Sequence, residues 1–192
     1  MFGRRRGQEE DGVGLALKHL DSLYAAALSL THDDSRAEDL VQEAFLRGYR
    51  YYRRLTDSNE CKALLYRIML NFWLKDRRRA QREVSLDEPA GEQSPDPASA
   101  GYEWPDGGIN PEAEVMKKTF LMAVDQALRK LAPELRATVI LADVEGFTYQ
   151  EMANILHWPL GTVMSRLHRA RRCLGQEMKA FAQDARKGNA QL

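Results

Sequence analysis

The chain has 192 residues, and its 28 basic and 28 acidic side chains cancel to a formal charge of zero. That length holds one ordinary domain or two small ones. Cys61 and Cys173 stand far apart with no C-x-x-C or Cys/His cluster beside either, so neither a zinc site nor a disulfide framework is indicated. The apolar stretch from Val13 to Leu30 is interrupted by Lys18, His19 and Asp21, and Arg4, Arg5 and Arg6 are followed by polar or acidic residues. Those features argue against a membrane span and a signal peptide, and a soluble cytoplasmic protein without metal or cofactor is expected.

Residues 1–11 lack a packing pattern and are expected to be disordered. From Gly12 to about Leu30, Val13, Leu17, Leu20, Tyr24, Ala27 and Leu28 recur at helical spacing. Thr31 to Asp34 breaks that helix. Ser35 and Glu38 have capping-box spacing, and Leu40, Val41, Ala44, Phe45 and Tyr52 give a second helix, to about Arg54, an inward stripe. Its other face holds Asp39, Gln42, Glu43, Arg47 and Arg50, an arrangement usually met as solvated surface.

Leu55 to Glu60 reads as a polar turn, and a third helix is predicted from about Cys61 to Arg82. Cys61, Leu64, Leu65, Ile68, Met69 and Phe72 share one side of it. Arg67, Asn71, Lys75 and Arg78 line the other, with Arg77, Arg79 and Arg82 extending the charge to a segment total of +6. Cations there can neutralise phosphates, and an asparagine among them offers a donor and an acceptor to a base edge. Trp73, at the boundary, suits either the core or stacking on an unpaired base, the core being the commoner use.

The zero charge conceals a segregation. Residues 83–115 hold nine acidic side chains and no Lys or Arg, so the remainder carries +9. Five of the seven prolines fall between Glu83 and Pro111, marking a flexible acidic linker. Beyond it Met116, Phe120, Val124, Leu128 and Leu131 mark a helix, and a short one begins at Pro133. Thr148 to Leu156 then reads as a helix opened by the Thr148/Glu151 capping box, with Pro159 in the turn before another helix. On this last helix Val163, Leu167, Ala170 and Leu174 face inward, toward the small Ala153. Ser165, His168, Arg169 and Arg172 face away. Four arginines and no acidic residue occur between Leu160 and Cys173. Together this is a helix-turn-helix whose second helix is fit for a major groove.

The four histidines lie in different elements, no Gly-rich phosphate loop occurs, and no nucleophile has a partner nearby, so an enzyme is the least favoured class. A stand-alone helix-turn-helix repressor or activator explains the last two helices and leaves Asn71 and its cationic stripe without a task.

The order of motifs resembles the extracytoplasmic-function (ECF, group 4) sigma factors of the sigma-70 family. Ala37 to Phe45 (AEDLVQEAF) resembles region 2.2, and Leu65-Tyr66-Arg67-Ile68 with Asn71 resembles regions 2.3 and 2.4. Pro159 to Val163, with Ser165-Arg166-Leu167 and Arg169-Ala170-Arg171, resembles region 4.2. The resemblance implies an all-α chain: a σ2 helical bundle over 12–82, the linker over 83–115, a σ4 helix-turn-helix domain over 116–183 and a tail over 184–192. It implies a non-enzymatic subunit that binds core RNA polymerase, through the β′ clamp helices and the β flap, and directs promoter-specific initiation. Asp39, Gln42, Glu43 and Phe45 would dock on the polymerase. Asp57, Ser58 and Asn59, with Asn71 beside them, would capture a flipped −10 base while Arg67, Lys75, Arg77 and Arg78 hold the strand. Thr162, Ser165, Arg166, His168, Arg169 and Arg172 would read the −35 duplex. The linker would thread toward the polymerase active-site channel, and an anti-sigma factor is an expected further partner. Met164, Leu64 and Cys61 depart from residues frequent in the family, the first on the reading helix.

Overall fold

The computed structural model describes residues 12–52, 54–55, 57–87 and 111–189. The expected disordered N-terminus, most of the linker and the last three residues of the tail lie outside the described residues. All regular structure among the described residues is helical. The elements are α1 (residues 12–17), α2 (Leu20–Thr31), α3 (Asp34–Tyr52), α4 (Ser58–Asp87), α5 (Pro111–Arg129), α6 (Pro133–Val139), a π-helical turn (Ile140–Val144), α7 (Tyr149–Leu156) and α8 (Leu160–Asn189).

Local chemistry moves several predicted boundaries. The first predicted helix is interrupted at Lys18 and His19, where the His19 Nε2 lies 3.0 Å from the Ser58 carbonyl and 2.9 Å from its hydroxyl. The Ser35/Glu38 capping box does not form. Asp33 caps α3 instead, its Oδ1 accepting from the Arg36 N–H at 2.9 Å, because His32 has turned left-handed (φ 55°) and ended α2. The expected polar turn is shorter than its sequence: Asp57 Oδ1 accepts from the backbone N–H groups of Asn59 (2.6 Å) and Glu60 (3.1 Å), so Ser58 to Glu60 form the first turn of α4. At its far end α4 continues to Asp87, and α5 begins at Pro111, each taking residues assigned to the linker.

Leu23, Ala26, Ala27 and Leu30 of α2 pack with Leu40, Val41 and Ala44 of α3 over Cys61, Leu65, Met69 and Leu70 of α4. Gly12 admits close approach here, since a Cβ would stand 2.3 Å from the Tyr52 carbonyl oxygen. In the second half Leu128, Leu131, Leu135 and Val139 enclose Leu167 and Ala170, so the inward face of α8 rests on α6 more than on α7.

The two halves, separate in sequence, share one core. Tyr66, Met69, Leu70 and Trp73 of α4 belong to the same buried cluster as Ala137, Ile140, Leu141, Met152, Ile155 and Leu156. Arg136 anchors the joint and is only 7% exposed. Its Nη1 donates to the Leu30 carbonyl at the end of α2 (2.9 Å) and its Nε to Leu128 (2.8 Å). Its Nη2 donates to Arg129 (2.7 Å) and Leu131 (3.3 Å). Helix C-termini leave carbonyls without intrahelical donors and carry partial negative charge, so a buried cation answers both needs. Burial, with Arg77 nearby, draws the Arg136 pKa down to about 10, which leaves it charged at neutral pH.

Beside it, the His32 Nδ1 donates to Asp125 Oδ1 at 3.0 Å across the halves. Burial holds the His32 pKa below its ordinary 6.5, with the Arg136 and Arg129 charges acting in the same sense and the Asp125 carboxylate opposing them. Burial alone would raise Asp125, but hydrogen bonds from His32 and Arg129 outweigh it and hold that carboxyl low.

Two outcomes are expected. Arg136→Leu strands four carbonyls and lowers stability by about 3 kcal/mol in urea unfolding, with Arg136→Lys recovering only part because an ammonium lacks the planar fork. As pH falls through about 6.5 the unfolded chain takes up a proton at His32 before the folded one does. Thermal stability should therefore drop below that pH and level off once pH passes the folded value, and His32→Gln should flatten that part of the profile.

Candidate nucleic-acid interface

The helix-turn-helix assembles as its spacing predicts. Thr148 Oγ1 accepts from the Glu151 N–H at 3.3 Å, and Glu151 Oε2 accepts from the Thr148 N–H at 2.8 Å and hydroxyl at 2.7 Å. Those bonds hold the Glu151 carboxyl below its usual range. His157, left-handed at φ 54°, ends α7. The Pro159 carbonyl accepts from Thr162 (2.9 Å) and Val163 (3.1 Å), which starts α8 at Leu160.

On α8 Val163, Leu167 and Ala170 are buried, whereas Ser165, His168, Arg169 and Arg172 are exposed. The structure brings these four to one outward face. Ser165 Oγ donates to the Thr162 carbonyl at 3.1 Å, and Thr162 itself is half-buried. Arg166 stands apart from the row: its guanidinium lies 3.9 Å from the Trp158 ring centroid, half-buried, with Nη1 unpartnered. Met164 is 49% exposed. Arg171 is engaged elsewhere, as a fork on Asp143 that ties α8 to the π-helical turn and raises the Arg171 pKa.

The second cationic surface lies on α4. Asn71, Leu74, Lys75, Arg78, Arg79 and Arg82 form one wall of a cleft of about 420 Å3, and Leu156 and Trp158 of the helix-turn-helix form the other. Asn71 and Lys75 are exposed, and Arg67 is half-buried. Arg77 leans over the Trp73 ring at 5.9 Å, and Trp73 is only 3% exposed, which places that tryptophan in the core. Arg78 pairs with Glu134 at 3.7 Å. Asp57, Ser58 and Asn59 are not beside Asn71. Asn59 and Asn71 lie on one helix, twelve residues or roughly 18 Å apart at 1.5 Å per residue. Ser58, moreover, is engaged by His19, and Asp57 by its own capping bonds.

On α3, Asp39 and Gln42 are exposed and Glu43 pairs with Arg47, which also lies 5.1 Å from the Phe72 ring centroid. Phe45 turns inward, half-buried against the core and edge-on to Tyr52 at 6.4 Å. The apolar side chain that shares the outward face is Leu46, 71% exposed. Sequence reading missed it, although Leu46 follows Gln42 and Glu43 by the four and three residues that put side chains on one helical face.

Residues 15–83 match the family described as Sigma-70 region 2, and residues 121–174 match Sigma-70, region 4. The RNA polymerase sigma-E factor of Streptomyces avermitilis is 34% identical over 86% of this chain and 84% of its own length. The chain belongs to the sigma-70 family, among its ECF members. The RNA polymerase sigma-H factor of Pseudomonas aeruginosa is 26% identical over 94% of this chain and 93% of its own length. Among solved structures, the sigma factor RpoE of Bartonella quintana, in complex with the anti-sigma factor NepR, aligns with a TM-score of 0.64 at 28% identity. That alignment covers 85% of this chain and 93% of RpoE.

Within this sigma factor, then, α1–α4 form the σ2 half and α5–α8 the σ4 half. The helix that presents the outward row of σ4 depends on the turn before it, and that turn on the Thr148 cap. Thr148→Ala is expected to lower σ4 stability by about 1 kcal/mol, read as an earlier thermal transition, with Thr148→Ser close to the parent.

Proposed function

We propose that this sigma factor binds core RNA polymerase and directs initiation at a two-part promoter, σ4 reading the −35 element as duplex and σ2 holding the opened −10 strand. The observation that carries the reading is the presence of two cationic helical faces of different construction. The α8 face follows a capped helix and tight turn and offers Ser165, His168, Arg169 and Arg172 outward, the equipment for base edges and phosphates in a groove. The α4 face sets Asn71 among Lys75, Arg78, Arg79 and Arg82 along a cleft, the equipment for a backbone with its bases turned out. A repressor uses only the first.

Residues 12–82 and 116–183 serve as the two working domains, and the acidic residues between them connect rather than bind duplex. Arg67 and Arg77 support the strand from the edge of the cleft. Thr162 and Arg166 position the start of the reading helix, with Arg166 steadying Trp158. Asp57, Ser58 and Asn59 act at the other end of α4, away from Asn71. The polymerase supplies the catalysis and is bound through its β′ clamp helices and β flap, and the protein works in the cytoplasm. Among the described residues no helix is long and apolar enough to cross a membrane. An anti-sigma factor is a natural regulator, as NepR is bound to RpoE in the related structure.

On α3 the polymerase-binding face is Asp39, Gln42 and Glu43 with Leu46, and Phe45 supports it from beneath. Run-off transcription with core enzyme on a genomic library, read by start-site sequencing, tests the main claim: a discrete set of starts that depends on this protein supports it, and none with folded protein refutes it. Leu46→Glu should weaken core binding about 10-fold or more, the equivalent of losing a buried leucine worth roughly 1.5–3 kcal/mol, at unchanged thermal stability. Phe45→Ala should act chiefly on stability.

A further inference from the structure

We propose that Leu160 and Met164 give σ4 a preference for thymine in the −35 element, by packing on 5-methyl groups in the major groove. This inference rests on the reading of α8 as the helix that meets duplex. Residues four apart on a helix form one ridge. Leu160, Met164, His168 and Arg172 are such a ridge, and all four are exposed. The last two carry nitrogens that hydrogen-bond. The first two carry no donor and no strong acceptor, yet Leu160 is 43% and Met164 49% exposed.

Single exposed apolar side chains are ordinary on a protein surface and imply nothing by themselves. The position of these two decides the matter. They stand in the first two turns of α8, the end of a reading helix that reaches base edges, and they continue the row formed by Ser165, His168, Arg169 and Arg172.

The chemistry of the groove names their target. Every base pair shows donors and acceptors along the major groove, and thymine alone adds a methyl group. A side chain without a donor discriminates there by meeting that methyl. Opposite another base it strips water from a polar edge and returns no hydrogen bond, which disfavours that base. Methionine suits the contact further, since its unbranched, polarisable chain adapts to an irregular apolar surface.

Gly161 clears the approach. It is exposed within α8, and a Cβ there would meet nothing within 4 Å, so packing does not demand a glycine. Its missing side chain lets the backbone beside Leu160 sit low against the groove floor. Leu160 and Met164 are then about 6 Å apart along the axis at 1.5 Å per residue, close to two base steps of 3.4 Å. The thymines they meet lie one or two steps apart.

The test uses the full chain with core polymerase, on the strongest promoter fragment found by start-site sequencing. Each thymine of the −35 element is replaced singly by deoxyuridine, which removes the methyl and keeps the pairing edge, and affinity is read by competition against labelled parent fragment. With the parent protein, two positions should each lose about 4-fold, equivalent to about 0.8 kcal/mol at 1.4 kcal/mol per tenfold. Met164→Gln should bind thymine and uracil alike at one position and Leu160→Gln at the other, whereas Met164→Leu keeps most of the discrimination. Circular dichroism checks folding, and the alanine variants replace either glutamine variant that fails it. A −35 element without thymine, or indifference of the parent to every deoxyuridine, overturns the methyl contact. So does discrimination by both substituted forms equal to the parent's, which assigns the thymines to duplex shape instead. Absence of any promoter, with folded protein and active core, overturns the function beneath the inference and the inference with it.

Discussion

One guanidinium holds the architecture together. Arg136 lies where the end of α2, the end of α5 and the start of α6 converge, and its donors satisfy carbonyls on both sides of the joint. A buried charge is costly to desolvate, and only a full set of partners offsets that cost. With the halves packed as they are here, that set is complete. His32 and Asp125 lie beside it, and the shared apolar core of α4, the π-helical turn and α7 extends from it.

Much of the fold was legible because periodicity reports burial directly. The stripes on α3, α4 and α8 pack as spacing predicts, and the Thr148/Glu151 box closes as written. Errors gathered at the ends of helices. Ser35 and Glu38 have the spacing of a cap, but the left-handed turn at His32 hands that role to Asp33, and spacing alone does not rank two eligible residues. Asp57 likewise captured the start of α4 and carried Ser58 and Asn59 away from Asn71.

Legibility of the site followed the same division. Exposed cations on α8 and α4 stand where a helical wheel puts them. Phe45 also lies inward with its stripe, as spacing predicts; it was the family resemblance that gave it to the docking face, where Leu46 is the exposed apolar side chain. The contact between the halves was not visible, because it pairs residues distant in sequence: Lys62 with Glu145, and Arg78 with Glu134. The clue available was the acidic character of Asp143, Glu145 and Glu151 ahead of a basic helix, and charge pattern does not say which surface an acidic turn will meet.

Cys61, near the start of α4, is fully buried, and burial raises its thiol pKa. Only a thiolate reacts readily with peroxides or disulfides, and this sulfur is neither ionised nor within reach of them. Oxidative stress accordingly has no chemical handle on the folded σ2 half at this position. For an oxidant to act through this sulfur, the helices of the σ2 half would first have to open.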